Sequence, residues 1–294
     1  MTTASAPDER AGDTALDERI MIMTKALVLG PGGAAGTAWT AGLAVGLRRA
    51  GVDLAEADLI VGTSAGAIVG AMLATGQDLQ RVGSLPSPSP ASAEAPAVDP
   101  ARLNEVFAVL GDQNLDPAEA RRRVGRIAIA AETSDEETHR SRMAALTGVG
   151  DWPDRQLLIT TVDVETGERR VWSRADGAPL AAVVAASCAM PGVYPPITVD
   201  GRRYMDGALA GGSNADLAAG ADPLVVVEPL AHLFAADAAP GVLRVVPDRA
   251  TIEAFGPDLH DRAAWPASYE AGVRQAADAA EDIRNAWNPI GTTA

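Results

Sequence analysis

Cysteine, histidine, aromatic residues and positive charge are all scarce in this chain, and each scarcity removes a class of function. One cysteine, Cys188, cannot close an intramolecular disulfide, so no disulfide framework holds the fold. The three histidines, at 139, 232 and 260, share no ligand-like spacing, and with a single thiol they predict no metal site built by the protein. The chain is therefore expected to work without a metal or other cofactor. Against 24 Lys+Arg stand 39 Asp+Glu, a net charge of -15 that repels phosphate backbones and anionic lipid surfaces alike. Nucleic acid is not an expected partner.

Long hydrophobic runs are missing too. The two longest weakly polar stretches, 59–76 and 178–199, are crowded with Gly, Ala, Ser or Pro and read as buried strand-turn-helix rather than bilayer spans. At the N-terminus, Asp8, Glu9, Asp13, Asp17 and Glu18 stand where a secretory signal needs bases before an apolar run. A cytoplasmic protein without stable membrane insertion is expected.

The 294 residues, 47% hydrophobic and 21% charged, suit one large α/β domain with additions. Residues 1–22 follow neither hydrophobic period and are expected to form a mobile acidic tail; the main domain is placed at 23–250. A Pro/Ser/Ala-rich segment, 83–98, is expected to be a mobile surface loop open to early proteolysis. Three helices are expected over 99–148, where Asp99-Pro100 and Asp116-Pro117 each set a capping acid before a proline and Ser134 with Glu137 forms a capping-box pattern. Acids Asp135, Glu136 and Glu137 read as a solvated helix N-terminus. Residues 251–294 form a C-terminal helical extension. Within it Tyr269, Val273, Ala276, Ala280, Ile283 and Trp287 make one apolar stripe for docking on the body.

Chemistry concentrates in three places. An apolar run, 25–29, leads into a glycine-rich loop, 30–36, and then a helix expected over 37–50; such a loop offers backbone N–H groups to a phosphate or an oxyanion. Its glycines miss the dinucleotide spacing by one residue, and acids Asp53 and Glu56 follow at a fitting distance, so a nucleotide-binding fold stays open. The second place, Gly62-Thr63-Ser64-Ala65-Gly66, matches G-x-S-x-G between a strand and an apolar helix, where glycines flanking a serine permit a sharp turn that lifts its hydroxyl. A plain strand-to-helix turn is the bland alternative. Three Asp-Gly pairs compete as a third element. Those at Asp176 and Asp200 read as turns, while Asp206 ends a strand at its carboxyl end, the edge where α/β sheets build sites. Cys188 reads as a packed core residue and Trp39 as a packed aromatic near a helix start.

Taken in order, Leu27-Val-Leu-Gly-Pro-Gly-Gly-Ala-Ala-Gly36, Gly62-Thr-Ser-Ala-Gly-Ala67, Ala186-Ser-Cys-Ala-Met-Pro-Gly-Val-Tyr-Pro-Pro196 and Tyr204-Met-Asp-Gly-Ala208 resemble the bacterial patatin-like phospholipase family. The resemblance runs from about residue 24 to 222. It implies a three-layer α/β/α fold with a mainly parallel central sheet, and a serine acyl hydrolase acting on an acyl lipid or small ester through a Ser-Asp dyad. Residue by residue it implies Ser64 as nucleophile, Asp206 as base, Gly32 and Gly33 as oxyanion hole, and Gly62 and Gly66 as the nucleophile elbow. Two departures stand out: Pro31, which has no N–H to donate, replaces a frequent glycine, and Ala35 replaces a frequent basic residue. The competing class is a non-catalytic regulatory relative. A Ser-acid-His triad would instead require His232 or His260, both downstream of Asp206.

Overall fold

A computed structural model describes residues 25–83, 99–131, 133–234 and 241–287. The expected tail, 1–22, and nearly all of the expected loop, 83–98, lie outside these residues. Gly83 itself closes a short helix.

Eight strands form one sheet: β1 (Ala26–Leu29), β2 (Leu59–Gly62), β3 (Gln156–Asp163), β4 (Arg169–Trp172), β5 (Ile197–Val199), β6 (Arg202–Asp206), β7 (Leu224–Val227) and β8 (Val242–Val245). The five strands β3-β2-β1-β7-β8 are mutually parallel, while β4, β5 and β6 run antiparallel to their neighbours. Helices α1 (Gly33–Arg49), α2 (Ala65–Ala74), α3 (Gln80–Gly83), α4 (Pro100–Leu110), α5 (Pro117–Ala130) and α6 (Glu136–Thr147) precede β3. After β4 come α7 (Leu180–Ser187), α8 (Ala208–Gly211), α9 (Arg249–Phe255) and α10 (Trp265–Trp287).

Strand alternation divides the core in two. Leu27 and Leu29 of β1, with Ile60 and Ile159, face a large cluster built with α1, α2, α7 and α10. Ala26 and Val28, with Val61 and Val226, face the other way, onto a 3-10 turn at Ala215–Ala218. Farther along that second face, Val162 and Met205 pack on Val106 of α4 and Val124 of α5. Three layers result, the α/β/α arrangement with a mainly parallel sheet that the resemblance implied.

The apolar stripe of α10 docks on α1, with Tyr269, Ala276, Ala280, Ile283 and Trp287 all buried. Backbones touch here: a Cβ on Gly42 would collide with the Tyr269 carbonyl, and one on Gly272 with the Trp39 carbonyl. Trp39 itself is wholly buried inside α1 and donates its indole N–H to Gln275 Oε1 of α10 at 3.1 Å.

Register places two strand ends together. On β3, Ile159 pairs with both Gly62 and Trp172, so β2 and β4 hold opposite edges; Thr161 pairs with both Arg170 and Asp206, so β6 lies on the edge that β2 holds. Parallel β2 and antiparallel β6 thus meet with their carboxyl ends facing along one edge of β3.

Three expectations need correcting. Helix α1 starts at Gly33 rather than at residue 37. The cap of α6 is Asp135, not Ser134: its carboxylate accepts from the Thr138 backbone N–H at 2.8 Å and from the Thr138 hydroxyl at 2.7 Å. A charged acceptor suits a helix N-terminus better than the preceding hydroxyl. Glu136, expected to be solvated, instead accepts from the backbone N–H and hydroxyl of Thr198 at 2.7 and 2.9 Å and ties α6 to β5.

Candidate active site

Between β2 and α2 the chain reverses within two residues, and Ser64 takes the bend at φ 55, ψ -118. That conformation is strained for a residue with a Cβ and persists only where its surroundings impose it. They do so from both sides of the peptide. Its backbone N–H donates to Ser187 Oγ at 2.9 Å, and its carbonyl accepts from Cys188 Sγ at 3.2 Å, so the last turn of α7 grips the bend. The flanking glycines leave no alternative residue. A Cβ on Gly66 would overlap the Leu29 carbonyl, and one on Gly62 would stand 2.7 Å from both Gly66 O and Ala67 Cα.

Asp206 closes β6 opposite this bend. Ser64 Oγ donates to Asp206 Oδ2 at 2.7 Å, while Oδ1 accepts from the Ala208 backbone N–H at 2.9 Å. Both side chains are buried, Asp206 to 3% exposure and Ser64 to 8%. Burial pushes the Asp206 carboxyl up to about 7, against the lowering effect of the hydrogen bonds from Ala208 and Ser64. At neutral pH it therefore exchanges a proton readily, and the hydroxyl nearest to it belongs to Ser64.

The glycine loop runs beside the bend, joined to it by the Gly66 N–H donating to Gly30 O at 3.1 Å. It is pressed between two other segments. A Cβ on Gly32 would meet Pro229 at 2.9 Å, and Gly33, at φ +61, would meet the Leu259 carbonyl at 2.7 Å. Because α1 starts at Gly33, the amides of its first turn lack intrahelical acceptors. Ala35 spends its own on the Leu259 carbonyl at 3.1 Å, which leaves that position closed to a phosphate. Gly32 and Gly33 remain the loop's candidate donors, and α2 turns its N-terminus, the positive end of a helix, toward Ser64.

The cysteine is a thiol here: burial and the Asp206 carboxylate push it well above the usual range. Core packing is its state, as expected, although the core in question is the floor of the bend. None of the histidines hydrogen-bonds Ser64 or Asp206 among the described residues. His139 is fully buried, stacks on Tyr194 at 4.4 Å between ring centroids, and is pushed down to about 4 by burial. His232 lies beside Phe255 at 6.1 Å, and the backbone N–H of His260 donates to Asp258.

Sequence reasoning missed two residues that shape this site. Ser187 lay inside a quoted motif, and the signal that would have found it is a hydroxyl at a helix C-terminus within an otherwise apolar run. Asn214, fully buried beneath the bend, stands in a Gly-Gly-Ser-Asn loop with no local pattern to single it out.

Comparison with known proteins adds to this geometry. Among solved structures, VipD from Legionella pneumophila is 14% identical, covering 88% of this chain and 67% of its own, with a TM-score of 0.43. The type III effector ExoU is 18% identical over 86% of this chain and 53% of its own, with a TM-score of 0.33. ExoU bound to SpcU, from the Pseudomonas aeruginosa type III secretion system, is 15% identical with a TM-score of 0.32. This chain thus spans about half the length of ExoU. No curated protein matches it. Among the described residues no helix is long and apolar enough to cross a membrane. The family profile described as Patatin-like phospholipase matches residues 27–219, which takes in the glycine loop, the Ser64 bend and Asp206, and the chain belongs to that family.

Proposed function

We propose that this protein is a serine lipid acyl hydrolase that cleaves acyl esters through a Ser64-Asp206 dyad. The observation that carries the reading is the 2.7 Å hydrogen bond from Ser64 Oγ to a buried carboxyl whose proton affinity is raised to about 7. A free serine hydroxyl is a weak nucleophile, and an adjacent base is what activates it. Asp206 accepts the hydroxyl proton as Oγ attacks the acyl carbonyl. The N–H groups of Gly32 and Gly33, with the N-terminus of α2, stabilise the oxyanion, each well-placed donor being worth about 3 kcal/mol. Collapse of the tetrahedral intermediate expels the alcohol, which takes the proton from Asp206. An acyl group then remains on Ser64. Water, deprotonated in turn by Asp206, attacks that ester and regenerates the enzyme.

The test is fluorophosphonate labelling combined with turnover of p-nitrophenyl acyl esters. The wild type is expected to label and turn over, Ser64→Ala to do neither, and Asp206→Asn to lose nearly all turnover. His232→Ala and His260→Ala should keep most of it. A histidine variant that falls as far as Ser64→Ala with its fold intact replaces the dyad by a triad. Absence of both label and turnover in the wild type overturns the hydrolase reading.

A further inference from the structure

We propose that Asn214 is a positioning residue for the dyad: its side-chain amide ties the chain just before Ser64 to the chain just after Asp206 and so sets their separation. This rests on the dyad reading of the site.

The need for such a tie follows from the sheet. β2 and β6 sit end to end on one edge of β3, so no ladder of hydrogen bonds joins them to each other. Ser64 lies two residues past the end of β2, beyond regular pairing, and Asp206 is the last paired residue of β6. A 2.7 Å hydrogen bond between them demands that two independent chain ends stay in register.

Asn214 sits across that junction. Its Nδ2 carries two N–H groups that are shared among four acceptors within hydrogen-bond distance: Thr63 Oγ1 at 3.0 Å, Thr160 Oγ1 at 3.2 Å, the Gly207 carbonyl at 3.3 Å and the Gly212 carbonyl at 3.2 Å. Thr63 precedes Ser64, Gly207 follows Asp206, and Thr160 belongs to the β3 edge behind both. The two threonine hydroxyls also bond each other at 2.8 Å. Oδ1 of Asn214 accepts from Arg169 at 3.2 Å, and Arg169 is itself fixed by two hydrogen bonds to Asp216 at 2.8 and 2.7 Å. The amide group is therefore oriented from outside and donates inward. Its backbone, at φ 56 and ψ 38, is left-handed, a conformation that asparagine tolerates better than most side chains. A wholly buried amide with every polar atom engaged tolerates few rearrangements.

Two variants separate the amide from the backbone. Asn214→Gly keeps the left-handed conformation without strain and removes the amide; Thr63→Val keeps size, adds no charge and removes the hydroxyl that Asn214 Nδ2 binds just before Ser64. Turnover and the pH titration of the Asp206 carboxyl, followed by carbon NMR, are measured on the full chain for both and for the wild type. The expected result is a kcat lowered about tenfold to a hundredfold in both variants, KM nearly unchanged, and Asp206 titrating at higher pH because it has lost the Ser64 hydrogen bond. A role in folding alone would lower the melting temperature and leave the titration of the folded protein where it was. An Asp206 titration that does not move in a folded variant overturns the proposal, whatever happens to turnover. If the wild type neither labels nor turns over, the hydrolase reading falls, and the titration still decides whether Asn214 holds Ser64 against Asp206. Should Asn214→Gly fail to fold, the near-isosteric and uncharged Thr63→Val carries the same two readouts.

Discussion

Helix α1 buries every residue from Ala35 to Leu47, whereas α4, on the opposite face of the sheet, buries Val106 and leaves Phe107 45% exposed. The two regions are held by different physics. Around the Ser64 bend, glycines meet backbone at van der Waals contact, and each polar group of the bend finds a partner on a distant element. Along α4 to α6, capping carboxylates and ion pairs close to each other in sequence line the exposed faces, and the apolar patch by which α4 and α5 meet the sheet is narrow. A site that must hold a strained serine against a buried carboxyl is built where nothing has room to shift. The exposed faces of the helical segment are built where substitutions cost little.

The sharpest way to break this contrast is to add one methyl group to each region. Gly66→Ala would drive a Cβ into the Leu29 carbonyl, a backbone atom of a central strand that cannot move aside. Its cost is expected to be about 4 kcal/mol or more, enough to abolish soluble folded protein. Gly150→Ala, just past α6, meets nothing within 4 Å. Being free of left-handed strain, it should instead stabilise by about 0.4–1 kcal/mol through the unfolded chain. Urea midpoints of the two variants check both. A folded, active Gly66→Ala would show that the bend has slack.

A second contrast concerns sign with pH. Asp206 is raised from 3.8 to about 7 by burial, so the folded state holds its proton more tightly than the unfolded state does. Its contribution is favourable below about 4 and is lost as pH rises through 7, where the ionised carboxylate must stay buried. Asp206→Asn is therefore expected to gain stability over the wild type at pH 8.5, by roughly 4 kcal/mol at most, and to gain less than half as much at pH 5. Turnover of the wild type should run the other way and rise through pH 7 as the base ionises. Thermal melts at the two pH values test the first statement. An unchanged difference between variants at both would mean that Asp206 is not buried as charge.

Local chemistry makes the main features legible in the sequence. A serine between two glycines at a strand end, and an aspartate at the end of a tyrosine-bearing strand, carry their meaning within a few residues. The docking stripe of α10 was visible for the same reason, its period being that of the helix. What escaped was long-range. The start of α1 at Gly33 contradicts the poor helix propensity of a Gly-Gly-Ala-Ala-Gly run, and the explanation lies in Pro229 and Leu259, which press on the loop from segments far along the chain. Ser187, Asn214 and the Glu136 tether to Thr198 act on partners that no spacing rule brings together. The edge shared by β2 and β6, which brings Ser64 against Asp206, is a matter of register and not of composition.

A smaller effect is expected from the caps on the helical side. Asp99 accepts from the Ala101 and Arg102 backbone N–H groups at 3.0 and 3.3 Å, and Asp116 from those of Ala118 and Glu119 at 3.0 and 3.1 Å. Replacing either by alanine should cost about 1 kcal/mol. If the two regions are as separable as their packing indicates, kcat should stay within twofold of wild type, roughly the scatter of a neutral surface change. A cap variant that loses stability and most of its turnover together would couple the helical segment to the dyad.

The smallest effect is expected at Glu119, where three arginines converge on one carboxylate: Arg122, Arg123 and Arg126 at 2.9, 3.1 and 3.3 Å. Number of contacts suggests importance, but exposure argues the reverse, since exposed ion pairs gain little in water and salt screens them. Hydrogen bonds from Arg123 and Arg122 hold the carboxyl down at about 2 from its ordinary 4.5. The sign is thus opposite to that at Asp206: any stabilisation is present above about 4.5 and is lost as pH falls toward 2. Glu119→Gln should shift the melting temperature only slightly at pH 7 and low salt. In 1 M NaCl, where the screening length shrinks to about 3 Å, the shift should vanish. The pH-dependent gain of Asp206→Asn should survive the same salt, because its carboxyl lies where counterions do not reach. Equal salt sensitivity at the two carboxylates would erase the distinction between a surface that tolerates change and a site that does not.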